Sequence, residues 1–466
     1  MTSSANTPLW QQGQVIDLTI DDLSNSGDGV GRWQDRVVFV ANTVPGDRIQ
    51  VRLTRVKPTY GYGKSLNIIE PSLDRIRPVC IVADKCGGCQ WQAVAYPRQL
   101  QAKEQQVQSA LGRIGGLERI PMQPILMAPQ SLGYRNKVTY PLARGAGGTI
   151  KAGYYRQGTH QIVNLNQCPI QHQKLNPLLS DAKAAIKSRG WSLYNEKKHQ
   201  GRLRHLALRV GQNTGQTLLT LVTTGYLPEV KEQAEQWLLA HPTLVGVCLN
   251  INPAQTNRIF GDETRCLVGQ LYLEEIFLGL RLRLQPTTFF QVNTAQAEAL
   301  VQIILDQLHL QGNETVIDAY CGIGTLSLPI AQRAARCIGI EFQAEAVAQA
   351  RQNAALNGLK NTEFFVGRVE TLLLEISAQQ TSPIDVVVLD PPRKGCDRTV
   401  LDTLIEISPT RIVYMSCNPT TLARDLKVLC NQDYGLTMVQ PADFFPQTAH
   451  VECVAFLEKK PQNIGP

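Results

Sequence analysis

The chain has 466 residues, of which 43% are hydrophobic and 18% charged, and its net charge is +7. This composition is that of a globular protein, and no apolar run is long enough to span a bilayer, so a disordered or membrane-spanning chain is excluded. The length predicts roughly three domains. Because the first residues lack a basic patch followed by an apolar core, we expect a cytoplasmic protein whose 12 cysteines are thiols, metal ligands or catalysts rather than disulfides.

The positive charge is unevenly distributed along the chain. Between Arg98 and Arg209 there are 18 Lys or Arg residues but only 4 Asp or Glu residues. A solvated surface is the simplest explanation of a charged stretch, but an excess this large favours a polyanionic partner, and nucleic acid is the one we expect.

Residues 8–70 are predicted to form a small β-barrel. The stretches 14–20, 36–40 and 49–53 are rich in β-branched residues and are separated by glycine-containing turns. Several short strands in so few residues are typical of an OB-like barrel, a common nucleic-acid-binding scaffold. The arrangement resembles the TRAM domain of RNA-modifying enzymes.

Four cysteines in the next region are candidate metal ligands. Cys80, Cys86 and Cys89 lie close together around two glycines, and Cys168 is followed by a proline. Zinc sites more often use two short C-x-x-C pairs, whereas three cysteines plus a distant Cys-Pro fit an iron–sulfur cluster better, so a 4Fe-4S cluster is predicted and zinc is the alternative.

The middle region, residues 71–285, is predicted to be mixed α+β and to carry the basic excess. Its most basic stretches are 133–138 and 201–209. Arg202, Arg204 and Arg209 can reach a nucleic-acid backbone from the second stretch, although Arg204 and Arg209 can equally be structural ion-pair partners.

Residues 286–466 alternate apolar strands with amphipathic helices, which predicts an α/β domain with a mostly parallel, doubly wound, Rossmann-like sheet. The first strand leads into Gly322 and Gly324, and about twenty residues later a second strand ends at Glu341, where an acid can hold a ribose diol. The glycine spacing differs from a dinucleotide fingerprint, so S-adenosylmethionine is a better candidate ligand than NAD.

Two further strand ends point to the same cleft. One strand ends at Asp390, which precedes Pro391 and Pro392, and the next leads directly to Cys417. Asn418 is a good N-cap and proline suits the first helical position, so we expect a helix to begin immediately after Cys417. The positive end of that helix is expected to favour the thiolate, which makes Cys417 a candidate nucleophile.

Taken together, these motifs resemble those of the RNA 5-methyluridine methyltransferases, and within them the iron–sulfur branch with a TRAM domain, which includes the 23S rRNA uracil-C5 enzymes. The motifs that carry the resemblance are Cys80/Cys86/Cys89/Cys168, Asp318-Ala319-Tyr320-Cys321-Gly322-Ile323-Gly324, Asp390-Pro391-Pro392-Arg393 and Ser416-Cys417-Asn418-Pro419. The resemblance implies a role for each of several residues: cofactor binding for Gln291, Tyr320, Glu341 and Asp390, nucleophilic attack for Cys417 and general base catalysis for Glu452.

The expected activity is methylation of C5 of a uridine in RNA from S-adenosylmethionine. Uracil C5 is a poor nucleophile, and addition of a thiolate at C6 supplies the electron density that it lacks. A buried base cannot enter such a cleft while stacked, so the uridine is expected to be flipped out against Phe289 or Phe290, unless these are core residues. We expect 23S rRNA as the substrate, with tRNA or a non-catalytic RNA-binding or ribosome-assembly role as alternatives. No membrane and no obligate protein partner are implied.

Overall fold

The computed structural model describes residues 10–380 and 382–461. The chain divides into two compact units. The first consists of the residues up to Gln106 together with Phe445–His450, and the second consists of Val107–Phe444 together with the residues from Val451 onward. In the described ranges, no helix is both long enough and apolar enough to cross a membrane.

The first unit contains a closed five-stranded barrel, as predicted for this part of the chain. Its strands are β1 (Val15–Leu23), β2 (Gly29–Trp33), β3 (Arg36–Val40), β4 (Arg48–Val56) and β5 (Tyr60–Glu70), in the order β1-β2-β3-β5-β4. Alternate residues of the strands point inward, and Ile16, Leu18, Ile20, Val38, Val40, Ile49, Val51 and Leu53 form the barrel core. The predicted OB-like architecture is therefore confirmed.

Helix α1 (Tyr96–Arg113) follows the barrel and the cysteine-containing loop. Within the first unit, buried Trp91 anchors the chain after that loop, because its indole N–H donates to the Gly27 carbonyl over 3.1 Å. Trp91 also belongs to a second small core with Leu23, Val44 and Val94.

A six-stranded mixed sheet forms the middle of the second unit. Its strands are β6 (Lys137–Arg144), β7 (Ile150–Ala152), β8 (Leu203–Val210), β9 (Thr217–Thr223), β10 (Leu244–Ile251) and β11 (Glu263–Gly269), in the order β11-β10-β9-β8-β6-β7. Helices α2 (Leu175–Ser188) and α3 (Val230–Ala240) accompany it, and a hairpin of β12 (Leu273–Phe277) and β13 (Leu280–Leu284) follows. This is the mixed α+β region that the sequence predicts.

The C-terminal part of the second unit is built on a seven-stranded sheet. Its strands are β14 (Thr315–Ala319), β15 (Arg336–Glu341), β16 (Thr362–Val366), β17 (Val386–Leu389), β18 (Arg411–Ser416), β19 (Tyr434–Ala442) and β20 (Glu452–Lys459). Its helices are α4 (Thr294–Gln307), α5 (Ser327–Ala331), α6 (Ala344–Leu356), α7 (Val369–Ala378), α8 (Arg398–Ile407) and α9 (Pro419–Cys430).

The strand order of this sheet, β16-β15-β14-β17-β18-β20-β19, confirms the predicted Rossmann-like fold. The first five strands in this order are parallel, whereas β20 runs antiparallel between β18 and β19. The strand order reverses between β14 and β17, and the crevice at such a switch point is where open α/β sheets bind ligands.

The junction between β18 and α9 has the predicted local structure. Asn418 is the N-cap, and its side-chain oxygen accepts from the Thr420 N–H over 3.1 Å. Pro419 occupies the first turn, where its missing N–H costs nothing. Cys417 is therefore held between the end of a buried strand and the start of a helix.

Two of the arginines offered as RNA contacts are instead structural. Arg204 is only 5% exposed, and its guanidinium donates to the carbonyls of Asn252, Ala254 and Thr256. Arg209 is 4% exposed and donates to the Thr288 carbonyl. The strand β8 that carries both is buried throughout, so neither arginine is on a free surface.

Replacing Arg204 with methionine is expected to lower the free energy of unfolding by about 3 kcal/mol, because the hydrogen bonds of a buried guanidinium to three backbone carbonyls are lost. Arg202→Met is the matched control, because Arg202 directly precedes β8 and is exposed. Its replacement is expected to change the free energy of unfolding by less than about 1 kcal/mol. Urea unfolding of the two variants tests this, and equal losses would contradict the structural role of Arg204.

Candidate active site

A cavity opens at the carboxyl ends of the parallel strands, at the position predicted from the three strand ends. The lining residues are Phe289, Gln291, Ala297, Leu300, Val301, Asp318, Tyr320, Cys321, Gly322, Ile323, Thr325, Leu326, Asp390, Met415 and Phe444. Three of the four residues predicted to bind the cofactor, Gln291, Tyr320 and Asp390, are among them. Their assignment as cofactor ligands stays a prediction.

The fourth, Glu341, lies beside the glycine loop at the end of β15. Its carboxylate accepts from the backbone N–H of Gly322 over 3.2 Å and from that of Gln343 over 2.8 Å. These bonds fix the acid next to the loop that lines the cavity. Gly322 has φ +55° and Gly324 has φ +88°, so both glycines adopt the left-handed conformation that side chains disfavour.

Phe289 and Phe290 have different environments, which separates the two roles that the sequence left open. Phe290 is 2% exposed and packs edge-on against Phe277, with ring centroids 5.7 Å apart, so it is a core residue. Phe289 is 72% exposed and lines the cavity. A large exposed aromatic at a cavity mouth is suited to stacking with a base.

Two acids lie at the switch point, buried Asp318 and partly buried Asp390. Burial, with a smaller contribution from the charge of Asp390, raises the pKa of Asp318 to about 7. Burial likewise raises the pKa of Asp390 to about 7. One oxygen of Asp318 accepts from the Ser327 hydroxyl, whereas Oδ1 has no hydrogen-bond partner in the described part of the chain. That orphaned oxygen is available to a ligand donor.

Asp318 is a functional candidate to which the sequence analysis gave no role. Asp318 is the first residue of the glycine-loop motif, and in the structure it is fully buried and lines the cavity. The signal in the sequence that could have indicated Asp318 is an acidic residue near the end of an apolar strand. Met415 and Phe444 also line the cavity, and no pattern in the sequence indicates either of them.

Cys417 and Glu452 come together although 35 positions separate them in the sequence. Strand β20 pairs with β18 so that Ser416 lies opposite Cys453, which brings the following Cys417 to the preceding Glu452. Glu452 is 5% exposed, and burial raises its pKa well above the ordinary value, with Asp390 adding to the effect. Cys417 is half-buried.

The expected lowering of the Cys417 pKa by the helix is wrong for this structure. Burial, followed by the negative charges of Glu452 and Asp390, raises the pKa of Cys417 to about 11, although Arg393 acts in the opposite direction. The desolvation of the thiolate and the charges of the adjacent acids raise the pKa of Cys417 by more than the positive end of α9 lowers it. At neutral pH the Cys417 thiol is therefore largely protonated in the protein by itself.

The four cysteines predicted to bind a cluster lie in both units. Cys80, Cys86 and Cys89 belong to the first unit and Cys168 to the second. Cys86 accepts from the Gly88 N–H over 3.4 Å and Cys89 from the Gln92 amide over 3.7 Å. Across residues 10–380 and 382–461, no group of three or more His, Cys, Asp or Glu side chains is arranged to hold a metal ion.

The chain matches two protein-family models. Residues 95–460 match the tRNA (uracil-5-)-methyltransferase family, and residues 9–66 match the TRAM domain. An uncharacterised RNA methyltransferase of Nostoc sp. is 57% identical over 96% of this chain and 97% of its own length. One of Synechocystis sp. is 52% identical over 98% of this chain and 99% of its own.

A solved structure has the same fold over nearly the whole chain. The tRNA (uracil-54, C5)-methyltransferase of Pyrococcus abyssi, in complex with S-adenosyl-L-homocysteine, is 27% identical. The match has a TM-score of 0.75 and covers 95% of this chain and 100% of the Pyrococcus chain.

The fold and the cavity thus define an S-adenosylmethionine-dependent RNA methyltransferase. The chain belongs to the tRNA (uracil-5-)-methyltransferase family and carries its TRAM domain, and the predicted enzyme class, RNA (uracil-C5)-methyltransferase, is confirmed.

The residues around the cavity fit S-adenosylmethionine. The methionine end of the molecule carries a sulfonium cation and an ammonium group, and the cavity offers two buried acids, one with an orphaned oxygen. Buried carboxylates without a cationic partner are unfavourable, so a positively charged ligand stabilises their ionised forms.

Raising the pH from 6 to 8 is expected to strengthen binding of S-adenosylmethionine relative to S-adenosylhomocysteine about three- to tenfold. The acids with pKa about 7 lose their protons over this range, and only the first ligand carries a positive sulfur. Calorimetric titration with both ligands at both pH values gives the ratio. Asp318→Asn is expected to flatten the pH dependence, and a ratio in the wild-type protein that does not change with pH would contradict the prediction.

Proposed function

We propose that this enzyme methylates C5 of a uridine in RNA through a covalent bond between Cys417 and uracil C6. The observation that carries the proposal is the pairing of β18 with β20, which brings the thiol of Cys417 to the buried acid Glu452, while the charge of the cavity residue Asp390 acts on both groups. A thiol and an acid at one site are the two groups that this chemistry requires.

In the proposed mechanism, the target uridine leaves its stack and its ring packs on the exposed face of Phe289. The Cys417 thiol loses its proton to solvent, and the thiolate adds to C6 as the C5–C6 π-bond breaks, so that the ring becomes an enolate with its electron density at C5. S-adenosylmethionine supplies the methyl group when bound. Glu452, ionised at that stage, removes the C5 proton, and the electron pair left behind expels the Cys417 thiolate.

The raised pKa values of Cys417 and Glu452 fit this sequence of proton transfers. Burial disfavours the ionised form of each group, the charge of Glu452 adds to the effect on Cys417, and the charge of Asp390 adds to the effect on Glu452. Arg393 acts on both in the opposite direction and supports whichever of them is ionised.

For the individual residues, we propose that Gln291, Tyr320, Glu341 and Asp390 bind the cofactor, with Gln291 also contacting the target base. Their positions around one cavity or beside its glycine loop support this assignment. We assign residues 8–70 to RNA binding, residues 71–285 to the iron–sulfur cluster and to RNA binding, and residues 286–466 to methyl transfer. A cytoplasmic location follows from RNA as the substrate.

We propose 23S rRNA as the substrate, on the resemblance of the combined cysteine, TRAM and catalytic motifs to the 23S rRNA enzymes. The second candidate is tRNA. It is favoured by the name of the matching family and by the tRNA substrate of the Pyrococcus enzyme.

The deciding experiment offers unmodified ribosomal RNA and unmodified tRNA separately, with labelled S-adenosylmethionine and protein purified without air. Mass spectrometry of the nucleosides identifies the product. We expect 5-methyluridine in the ribosomal RNA pool, and label in the tRNA pool alone would make tRNA the substrate. A protein that binds the cofactor but labels neither pool would favour the RNA-binding role.

Cys417→Ala is expected to bind RNA and cofactor but to lower methyl transfer at least a thousandfold, because the thiol forms the covalent bond. Cys430→Ala is the matched control, because Cys430 is a half-buried thiol at the far end of α9, the helix that follows Cys417. Its replacement should leave the rate of methyl transfer unchanged. Turnover by Cys417→Ala within tenfold of the wild-type rate would contradict the mechanism.

We further propose a 4Fe-4S cluster held by Cys80, Cys86, Cys89 and Cys168. Four soft thiolates suit iron–sulfur ligation, and hydrogen bonds from N–H groups to sulfur, as at Cys86 and Cys89, are typical of cluster ligands. The cluster would serve as a structural clamp, and no step of the methyl transfer depends on it.

Protein purified without air is expected to be brown and to contain about four iron and four acid-labile sulfide per chain, as the cluster formula requires. Cys86→Ser is expected to lose most of both, whereas Cys266→Ser, which removes an exposed cysteine elsewhere, should retain them. A colourless wild-type protein that contains zinc would contradict the iron–sulfur assignment.

A further inference from the structure

One buried and two half-buried cationic side chains lie beside the segment that carries Phe289. Lys137 on β6 and Arg209 on β8 are opposite each other in the antiparallel pairing of the two strands. Arg135 is close by, and its Nε donates to the Lys137 carbonyl over 3.1 Å. Like charges at directly opposed strand positions destabilise a sheet, so their juxtaposition calls for a compensating anion or a function.

These cations hold the backbone of residues 286–292. The Lys137 ammonium donates to the carbonyls of Pro286 over 3.2 Å and Thr288 over 3.4 Å, and Arg209 donates to the same Thr288 carbonyl. Between them, Asn136 donates from its amide to the Gln291 carbonyl over 2.8 Å. The position of Phe289 and Gln291 at the cavity therefore depends on this group.

The positive charge is only partly offset in the part of the protein that the structure describes. Neither Lys137 nor Arg209 forms an ion pair in the described ranges, and the Nε and Nη1 atoms of buried Arg209 lack any hydrogen-bond partner. Glu275 is the acid whose charge acts on Arg209, but its oxygens already accept from the backbone of Gln212, Asn213 and Ile276.

The electrostatics agree with a site that lacks its anion. Burial, then Arg209 and Arg135, lower the pKa of Lys137 to about 6. Lys137 is only half-buried, so unlike Arg209 it retains a surface that a ligand can reach.

We propose that Lys137, backed by Arg209 and Arg135, binds a phosphodiester of the RNA substrate adjacent to the target uridine. The inference rests on the proposed function, since it takes the base on Phe289 to be a flipped uridine. Phosphate oxygens accept from the remaining N–H of Lys137 while its other bonds keep the Phe289 segment in place, which links backbone binding to the presentation of the base.

The test compares Lys137→Gln, Lys137→Arg and the wild type in the full chain. The salt dependence of RNA binding is measured, and loss of one phosphate contact is expected to reduce its slope by about 0.7 in Lys137→Gln. The affinity for RNA is expected to fall about tenfold, with the affinity for S-adenosylmethionine unchanged. Lys137→Arg keeps the charge and should restore most of the slope.

Lys183→Gln is the matched control. Lys183 is also half-buried and donates to a backbone carbonyl, that of Leu165 over 3.0 Å, but it lies outside this group. Its replacement should leave the slope of salt dependence unaltered.

A chemically altered RNA separates phosphate binding from a purely positional role. Replacing the phosphates flanking the target uridine by neutral methylphosphonates is expected to weaken binding to the wild type about tenfold and to leave Lys137→Gln almost unaffected. If both proteins lose affinity by the same factor, or if Lys137→Gln keeps the full slope, the inference is overturned.

The failure of this inference is distinguishable from failure of the proposed function. Methylation of the unmodified RNA by the wild type is measured alongside. If 5-methyluridine forms but the slope of the salt dependence is unchanged in Lys137→Gln, the phosphate site alone is refuted. If no 5-methyluridine forms, the proposed function is refuted.

Discussion

The active site depends on the cost of ionising acids and thiols in a buried cleft. Asp318, Asp390 and Glu452 lie at one end of a single sheet, and burial raises the pKa of each of them. The same desolvation acts on Cys417. A cleft of this kind is unfavourable when empty, and a cationic methyl donor stabilises the ionised forms of its acids.

The fold brings these groups together by two different topological devices. Parallel pairing of β14 with β17 places Asp318 and Asp390 at one switch point, as in other open α/β sheets. The antiparallel insertion of β20 adds Glu452 from the opposite direction. The parallel strands thus supply the cavity acids Asp318 and Asp390, the antiparallel strand brings Glu452 to Cys417, and neither device alone would assemble the set.

Local sequence signals predicted the parts of this site that local physics determines. The barrel, the parallel sheet, and the Asn418 cap after Cys417 follow from periodicity and capping, and all are observed. The difference between Phe289 and Phe290, the burial of Arg204 and the opposition of Lys137 to Arg209 depend on tertiary packing and strand register. The Cys417 pKa was predicted in the wrong direction because the start of the helix is visible in the sequence, whereas the desolvation of the thiol and the strand register that brings Glu452 beside it depend on the folded structure.

The placement of β20 also has a consequence for biosynthesis. Glu452 begins a strand that pairs on both sides with earlier segments, so the sheet remains open between β18 and β19 until this strand has left the ribosome. Until then Cys417 has no acidic neighbour from β20 and the cleft has one wall missing. A growing chain that already contains the barrel therefore lacks a complete cleft around Cys417 until this strand has been added.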